Sequence, residues 1–252
     1  MIIDFHTHIL PGIDDGSKDI KESREMLMES VRQGVEMMVA TPHFYADQMS
    51  IPSFLQTRNK AYDELMESIS LLQQDEYSKT DKNKNKFPRI LKASEVYFFH
   101  GISQANISSL TLEGTDLLFL EMPYRKWTAK DIDEVKILKK KFTLVFVHLE
   151  RFLYFPGNKK YIEKIIKDND IIVQINAGSL LKWQKRRKTM EIIKKRKHIL
   201  LGSDCHNTHS RKPNIKEGRE TLLKRFGERY LKETDQYGLS ILTQIRQEFS
   251  IL

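Results

Sequence analysis

Short runs of β-branched and aromatic residues alternate along the chain with longer stretches whose apolar positions recur every three or four residues. The first pattern predicts buried strands and the second amphipathic helices. Strands are expected at Met1–Phe5, Met37–Thr41, Arg89–Ala93, Leu117–Glu121, Thr143–His148, Ile171–Asn176 and His198–Gly202. Ile20–Gln33 reads as a helix with Met26, Leu27, Ser30 and Val31 on one side and a stop at Gly34. Ser53–Leu72 repeats Leu55, Tyr62, Leu65, Met66, Ile69 and Leu72 at helical spacing. Thr128–Lys140, Lys159–Lys167 and Met190–Arg196 behave likewise, and the last 40 residues read as further helices.

Seven strands alternating with helices imply an α/β fold with a parallel sheet. That many strands in about 200 residues favour closure into a barrel over an open sheet. The segment 73–86 (QQDEYSKTDKNKNK) is polar and nearly without apolar anchors, so it is expected to be an exposed, flexible insertion. The strand rhythm resumes directly after it, so residues 1–252 are expected to form a single domain.

Composition narrows the class. The lone cysteine, Cys205, cannot form an internal disulfide, which excludes a disulfide-stapled fold. No apolar run approaches the ~18 residues that a membrane span needs. The first residues, Met1-Ile2-Ile3-Asp4, have neither a cationic start nor a long apolar stretch, so no signal peptide is expected and a reducing cytoplasm is the default. Lys and Arg number 42 against 34 Asp and Glu, a net charge of +8 that suggests an acidic partner.

Parallel α/β folds place their sites at the C-terminal ends of the strands. The first strand runs into Asp4-Phe5-His6-Thr7-His8, and period two puts Asp4, His6 and His8 on one face. The second leads to His43, the third to Glu95, the fourth to Glu121 and the fifth to His148, while the seventh leads to Asp204 and His206. Only the sixth, ending Gln174-Ile175-Asn176, lacks a charged or imidazole group. One buried histidine is more often a hydrogen-bonded core residue than a ligand, and one glutamate more often a cap. The joint pattern differs, because burying so many ionisable groups without partners is very costly. Imidazoles and carboxylates without a thiolate cluster suit Mn, Fe or Zn. Multi-metal sites of this type activate water for displacement at phosphorus, so the residues point to a metal-dependent hydrolase of phosphate esters.

Together the stretches DFHTHILPGIDDG (4–16), TPH (41–43), SEVYF (94–98), FLEMPYR (119–125), VHLERF (147–152) and GSDCHN (202–207), followed by Arg211, resemble the PHP (polymerase and histidinol phosphatase) superfamily. Within it they are similar to the bacterial tyrosine phosphatases of capsule and exopolysaccharide operons. The resemblance implies a single distorted (β/α)7 TIM-like barrel with three divalent metals, manganese expected and iron or zinc as alternatives, at its C-terminal mouth. It implies that His6, His8, Glu95 and Asp204 hold one metal, that Glu95 bridges to a second held by Glu121 and His148, and that Asp15, His43 and His206 hold a third. Asp14 competes with Asp15 by one residue, and the resemblance favours Asp15. Arg151 and Arg211 match phosphoryl-binding arginines, the alternative for each being a structural role, which for Arg151 is an ion pair with a nearby acid. A metal-bridging hydroxide would attack phosphorus and expel a tyrosine phenolate without a phosphoenzyme. The implied partner is a phosphotyrosine protein, the tyrosine-rich tail of a bacterial kinase controlling polysaccharide assembly.

Competing readings stay on the table. Cys205 and Arg211 have the Cys-x5-Arg spacing of cysteine-based phosphatases, but the intervening residues lack the glycine such a loop normally needs. Histidinol phosphate or nucleic-acid ends are alternative substrates, and a non-enzymatic regulatory module is a further one. Lys182–Lys197 carries nine Lys and Arg in 16 residues without a recognisable nucleic-acid module, and reads first as a solvated helix face. The aromatics Phe44, Tyr45, Tyr124 and Trp127 follow ligand positions and are candidates either for the substrate entrance or for packing.

Overall fold

The computed structural model describes residues 1–77, 87–155, 157–196 and 198–249. In chain order the elements are β1 (Ile2–Thr7), α1 (Ile20–Arg32), β2 (Val35–Ala40), β3 (His43–Phe44), α2 (Ile51–Tyr77), β4 (Arg89–Lys92), β5 (Glu95–Tyr97) and β6 (Leu117–Glu121). They continue with α3 (Ala129–Leu138), β7 (Thr143–Phe146), α4 (Lys159–Lys167), β8 (Ile172–Asn176), α5 (Ala177–Leu181), α6 (Trp183–Lys195), β9 (Leu200–Gly202) and α7 (Ile215–Phe249). Every strand pairing is parallel, in the orders β1-β2-β4 and β3-β5-β6-β7-β8-β9.

Nine segments thus stand where seven strands are expected, because two strands are interrupted. Pro42 separates β2 from β3, and proline cannot donate to a ladder. Backbone bonds from Ala93 N to Ala40 O (2.8 Å) and from Glu95 N to Pro42 O (3.0 Å) carry the alignment across both breaks. At the other edge an isolated parallel bridge joins Thr7 to Cys205. It is flanked by Asp204 N donating to His6 O (2.8 Å) and His8 N to Cys205 O (3.0 Å). The fold is therefore α/β with its strand C-termini gathered on one side.

Burial follows the pattern expected of a parallel sheet covered on both faces. All five residues of β6 are buried, as are all five of β8. Helix α1 starts where Asp19 Oδ1 accepts from Glu22 N (2.8 Å), buries Met26 and Leu27, and gives way to Gly34 at φ +76°. Helix α3 begins with a capping box between Thr128 and Asp131. The expected insertion 73–86 is corrected at its start, because 73–77 complete α2; the remainder, 78–86, lies outside the described residues. The C-terminal region is helical as expected, with a break at Gly227 (φ +83°, ψ 173°) across which Arg219 pairs with Asp235 (2.8 Å). Among the described residues no helix is long and apolar enough to cross a membrane.

Candidate metal centre

The strand ends bring His6, His8, Asp15, His43, Glu95, Glu121, His148, Asp204 and His206 into one cluster. His6 Nε2 and His8 Nε2 both face Glu95 Oε2 and Asp204 Oδ1. His6 lies 3.1 Å from His8, 3.2 Å from Glu95 and 3.6 Å from Asp204; His8 lies 3.2 Å from Glu95 and 3.4 Å from Asp204. Donors sharing one ion through bonds of about 2.1 Å lie roughly 3.0–3.4 Å apart in octahedral or tetrahedral arrangement. Four of the five separations fall in that range, and the His6–Asp204 separation of 3.6 Å lies just beyond it. A second group joins His148 Nε2 to Glu95 Oε1 (2.7 Å) and Glu121 Oε1 (3.3 Å). In a third, Asp15 Oδ1 lies 3.4 Å from His43 Nε2 and 3.3 Å from His206 Nε2.

Electrostatics favour lone pairs over protons at several of these positions. Burial and Arg151 push His148 down to about 4, and burial with the neighbouring His8 pushes His206 down to about 2. Burial lowers His43 as well. Burial works against the charge of Glu95, but His6, His43 and His148 hold it well below the usual carboxylate range. Burial and the facing Glu95 raise Glu121 to about 9. Two carboxylates thus repel where a shared cation would neutralise both. His206 Nε2 is buried without a hydrogen-bond partner. The imidazoles, clustered carboxylates and absence of thiolates among these donors fit hard-to-borderline divalent ions.

The two adjacent aspartates separate by geometry. Asp15 points at His43 and His206, whereas Asp14 Oδ2 sits 2.7 Å from His8 Nδ1 and accepts from His43 N (3.0 Å). Asp14 is therefore a carboxylate behind a histidine, which fixes ring orientation and tautomer. Gly16 lets this loop close onto β1, since a Cβ there would lie 2.5 Å from the His8 Cβ. Asp4 shares its strand face with His6 and His8 but instead accepts from Ser203 N (2.8 Å), tying β1 to the segment after β9.

Both arginines reach the cluster through Asp204. Arg151 donates from Nη2 to Asp204 Oδ2 and from Nη1 to the Tyr124 hydroxyl (3.0 Å). Arg211 Nη2 donates to Asp204 Oδ1 (2.8 Å). The ion pair weighed as the alternative for Arg151 is thus present.

The sixth strand position matters despite supplying no donor. Gln174 Oε1 accepts from His148 N (2.7 Å), Gln174 Nε2 donates to Asn176 Oδ1 (2.9 Å), and Asn176 Nδ2 donates to Asp204 Oδ2 (2.7 Å). His148 (φ +35°) and Asp204 (φ +54°) are the non-glycine residues with left-handed φ among the described residues. One polar chain on β8 therefore holds both strained residues. The signal was two polar side chains in an otherwise apolar strand, since buried amides require partners.

Other candidates resolve differently. Cys205 is wholly buried in the apolar core, and burial with Asp4 raises its thiol, so it faces away from any nucleophilic role. Phe44 and Trp127 are core residues, while Tyr124 stays 42% exposed and Tyr45 packs 5.1 Å from the His43 ring.

Known proteins place this arrangement in a family. The family model described as "Capsular polysaccharide synthesis, CpsB/CapC" matches residues 2–236. Tyrosine-protein phosphatase CpsB of Streptococcus pneumoniae is 26% identical over 251 residues, covering 92% of this chain and 94% of the relative. Tyrosine-protein phosphatase YwqE of Bacillus subtilis is 25% identical over 239 residues, covering 90% and 85%. A chain from the crystal structures of YwqE and CpsB, described as unique metal-dependent tyrosine phosphatases, aligns with TM-score 0.76 at 23% identity over 96% of this chain and 94% of that one. Histidinol phosphate phosphatase from Lactococcus lactis shares the fold at TM-score 0.51 and 14% identity, over 90% of this chain and 94% of the other. The matched span runs through nearly every element that builds the cluster, and the chain belongs to the CpsB/CapC family of capsular polysaccharide synthesis.

Proposed function

We propose that this chain is a metal-dependent protein-tyrosine phosphatase. The observation that carries the proposal is the grouping of His6, His8 and Asp204, with Glu95 3.2 Å from both histidines, beside two arginines. In this reading His6, His8, Glu95 and Asp204 hold one divalent ion, Glu95, Glu121 and His148 a second, and Asp15, His43 and His206 a third, with manganese the expected metal. We also infer one domain over residues 1–252, its seven strand positions closing through the Thr7–Cys205 bridge as a distorted (β/α)7 barrel.

Bound metals would supply Lewis acidity and a water acidified to about neutral pKa. The protein's own groups do the rest. Arg151 and Arg211 present planar donor forks to a tetrahedral dianion, for which Asp204 is the alternative partner. Tyr124 orients Arg151 through its hydroxyl. Asp14 fixes His8, and Gln174 and Asn176 fix His148 and Asp204. A phenolate leaves with a pKa near 10, well below that of an alkyl alcohol, so departure demands less of a general acid. The proposed substrate is a phosphotyrosine protein, the tyrosine-rich tail of a bacterial tyrosine kinase governing capsule or exopolysaccharide assembly. The names and description of the relatives support the phosphotyrosine substrate and the capsule setting.

The test compares phosphotyrosine peptide, histidinol phosphate and single-stranded DNA as substrates for metal-stripped protein with Mn, Fe or Zn restored. Phosphotyrosine hydrolysis returning with Mn supports the proposal; preference for either other substrate reassigns it. Activity that survives exhaustive chelation but disappears in Cys205→Ser would overturn the metal reading.

A further inference from the structure

Beside the arginines a cleft of about 520 Å³ opens from the metal cluster. That volume lies in the range of sites for drug-sized ligands, larger than one phosphoryl group requires. Arg151 and Arg211, which engage Asp204, line it together with Lys182, Lys185 and Lys212. Leu181 and Tyr154, 42% and 46% exposed, contribute apolar wall. The acids in this lining are Asp204, engaged by both arginines, and Glu150, buried and pushed up to about 7 by that burial.

Some surface lysines are neutralised by an acid and others are not. Lys136, Lys139 and Lys232 each pair with an acid. Among the described residues no carboxylate lies within ion-pair distance of Lys182 or Lys185, both exposed at the start of α6. A basic face that is only solvated has no reason to continue into the cleft that holds Arg151 and Arg211. Cations without acid partners, apolar walls and continuity with the reacting centre instead match an extended anionic peptide.

We propose that this cleft docks the chain flanking the scissile phosphotyrosine and that Lys182 and Lys185 select an anionic side chain there, a carboxylate or a second phosphoryl group. This rests on the phosphatase reading above. It explains why part of the basic stretch 182–197 lies where it does, and it assigns specificity to residues outside the metal cluster.

The experiment uses Mn-loaded full-length protein and three peptides whose phosphotyrosine is flanked by neutral residues, by glutamates or by a second phosphotyrosine. For wild type, an anionic flank is expected to lower KM on the order of five- to tenfold at low salt, with kcat little changed and the advantage shrinking at high salt. The preference should vanish in Lys182→Gln/Lys185→Gln, invert in Lys182→Glu/Lys185→Glu, and persist in Arg229→Gln/Lys232→Gln. Which anionic flank gains more identifies the anion. A wild-type KM indifferent to the flank, or a preference unchanged in Lys182→Gln/Lys185→Gln, would overturn the groove alone. Lysine-dependent binding of single-stranded DNA or phosphatidylserine vesicles with no flank preference would overturn it in favour of another partner. Failure of wild type to hydrolyse any of the peptides would overturn both readings.

Discussion

Strands β1 and β8 both deliver polar side chains to the same end of the sheet, yet they serve it in opposite ways. From β1 and the residue after it, His6 and His8 sit 3.1 Å apart and aim at Glu95 and Asp204. From β8, Gln174 and Asn176 reach no open coordination position and bind the backbone of His148 and the carboxylate of Asp204. One strand offers donors and the other holds the bearers of donors in left-handed backbone that they would not adopt alone. A site of this kind is specified twice, once by its ligands and once by what orients them.

Breaking the donor side should have the larger consequence. His6→Ala or Asp204→Asn should lower kcat/KM for phosphotyrosine peptide by more than about 10³-fold, beyond the 10–100-fold typical of outer partners. Bound metal should fall in elemental analysis. Asn176→Ala and Gln174→Ala probe the other side. Each should cost roughly 10–100-fold in metal affinity by calorimetric titration, while circular dichroism reports an intact fold. A null effect in both would remove β8 from the account.

The contact between the two regions gives a third probe. A Cβ on Gly202 would lie 2.6 Å from both His6 Cβ and Gln174 Nε2. Gly202→Ala should therefore lower stability by about 1–3 kcal/mol through overpacking, read as a lower melting temperature. It should also weaken metal binding, because it pushes on both strands at once.

The smallest effect should come from a carboxylate remote from the cluster. Burial opposes ionisation of Asp131, but bonds from Arg125 (2.6 and 2.9 Å) and the cap donor of Thr128 hold it down at about 2. A depressed folded value contributes stability that is complete above the unfolded value near 4 and is lost as pH falls towards 2. The contribution is on the order of 2 kcal/mol, and Asp131→Asn should remove that acid dependence from the melting curve. A variant that instead loses metal at neutral pH would show that α3 supports the cluster.

The donor side is the legible one. Metal chemistry draws on few residue types, so His and acid at successive strand ends identify the side chains that meet, and period two along residues 4–8 already pairs His6 with His8. The parallel α/β class is legible for a similar reason, since strand and helix periods alternate. The supporting side is less visible because Gln and Asn at a strand end carry no chemistry of their own; only the fold shows which groups they satisfy. The breaks at Pro42 and between Lys92 and Glu95 are hidden because long-range pairing, rather than local propensity, decides where a strand resumes. Asp14 and Asp15 are adjacent in sequence, and only the loop closure permitted at Gly16 separates the partner of His8 from a carboxylate facing His43 and His206.

Anomalous diffraction at the manganese edge, on crystals of the Mn-loaded protein, would locate the bound ions. Three peaks are expected: one among His6, His8, Glu95 and Asp204, one among Glu95, Glu121 and His148, and one among Asp15, His43 and His206. No peak within the cluster, in crystals of protein that hydrolyses phosphotyrosine, would contradict the metal reading.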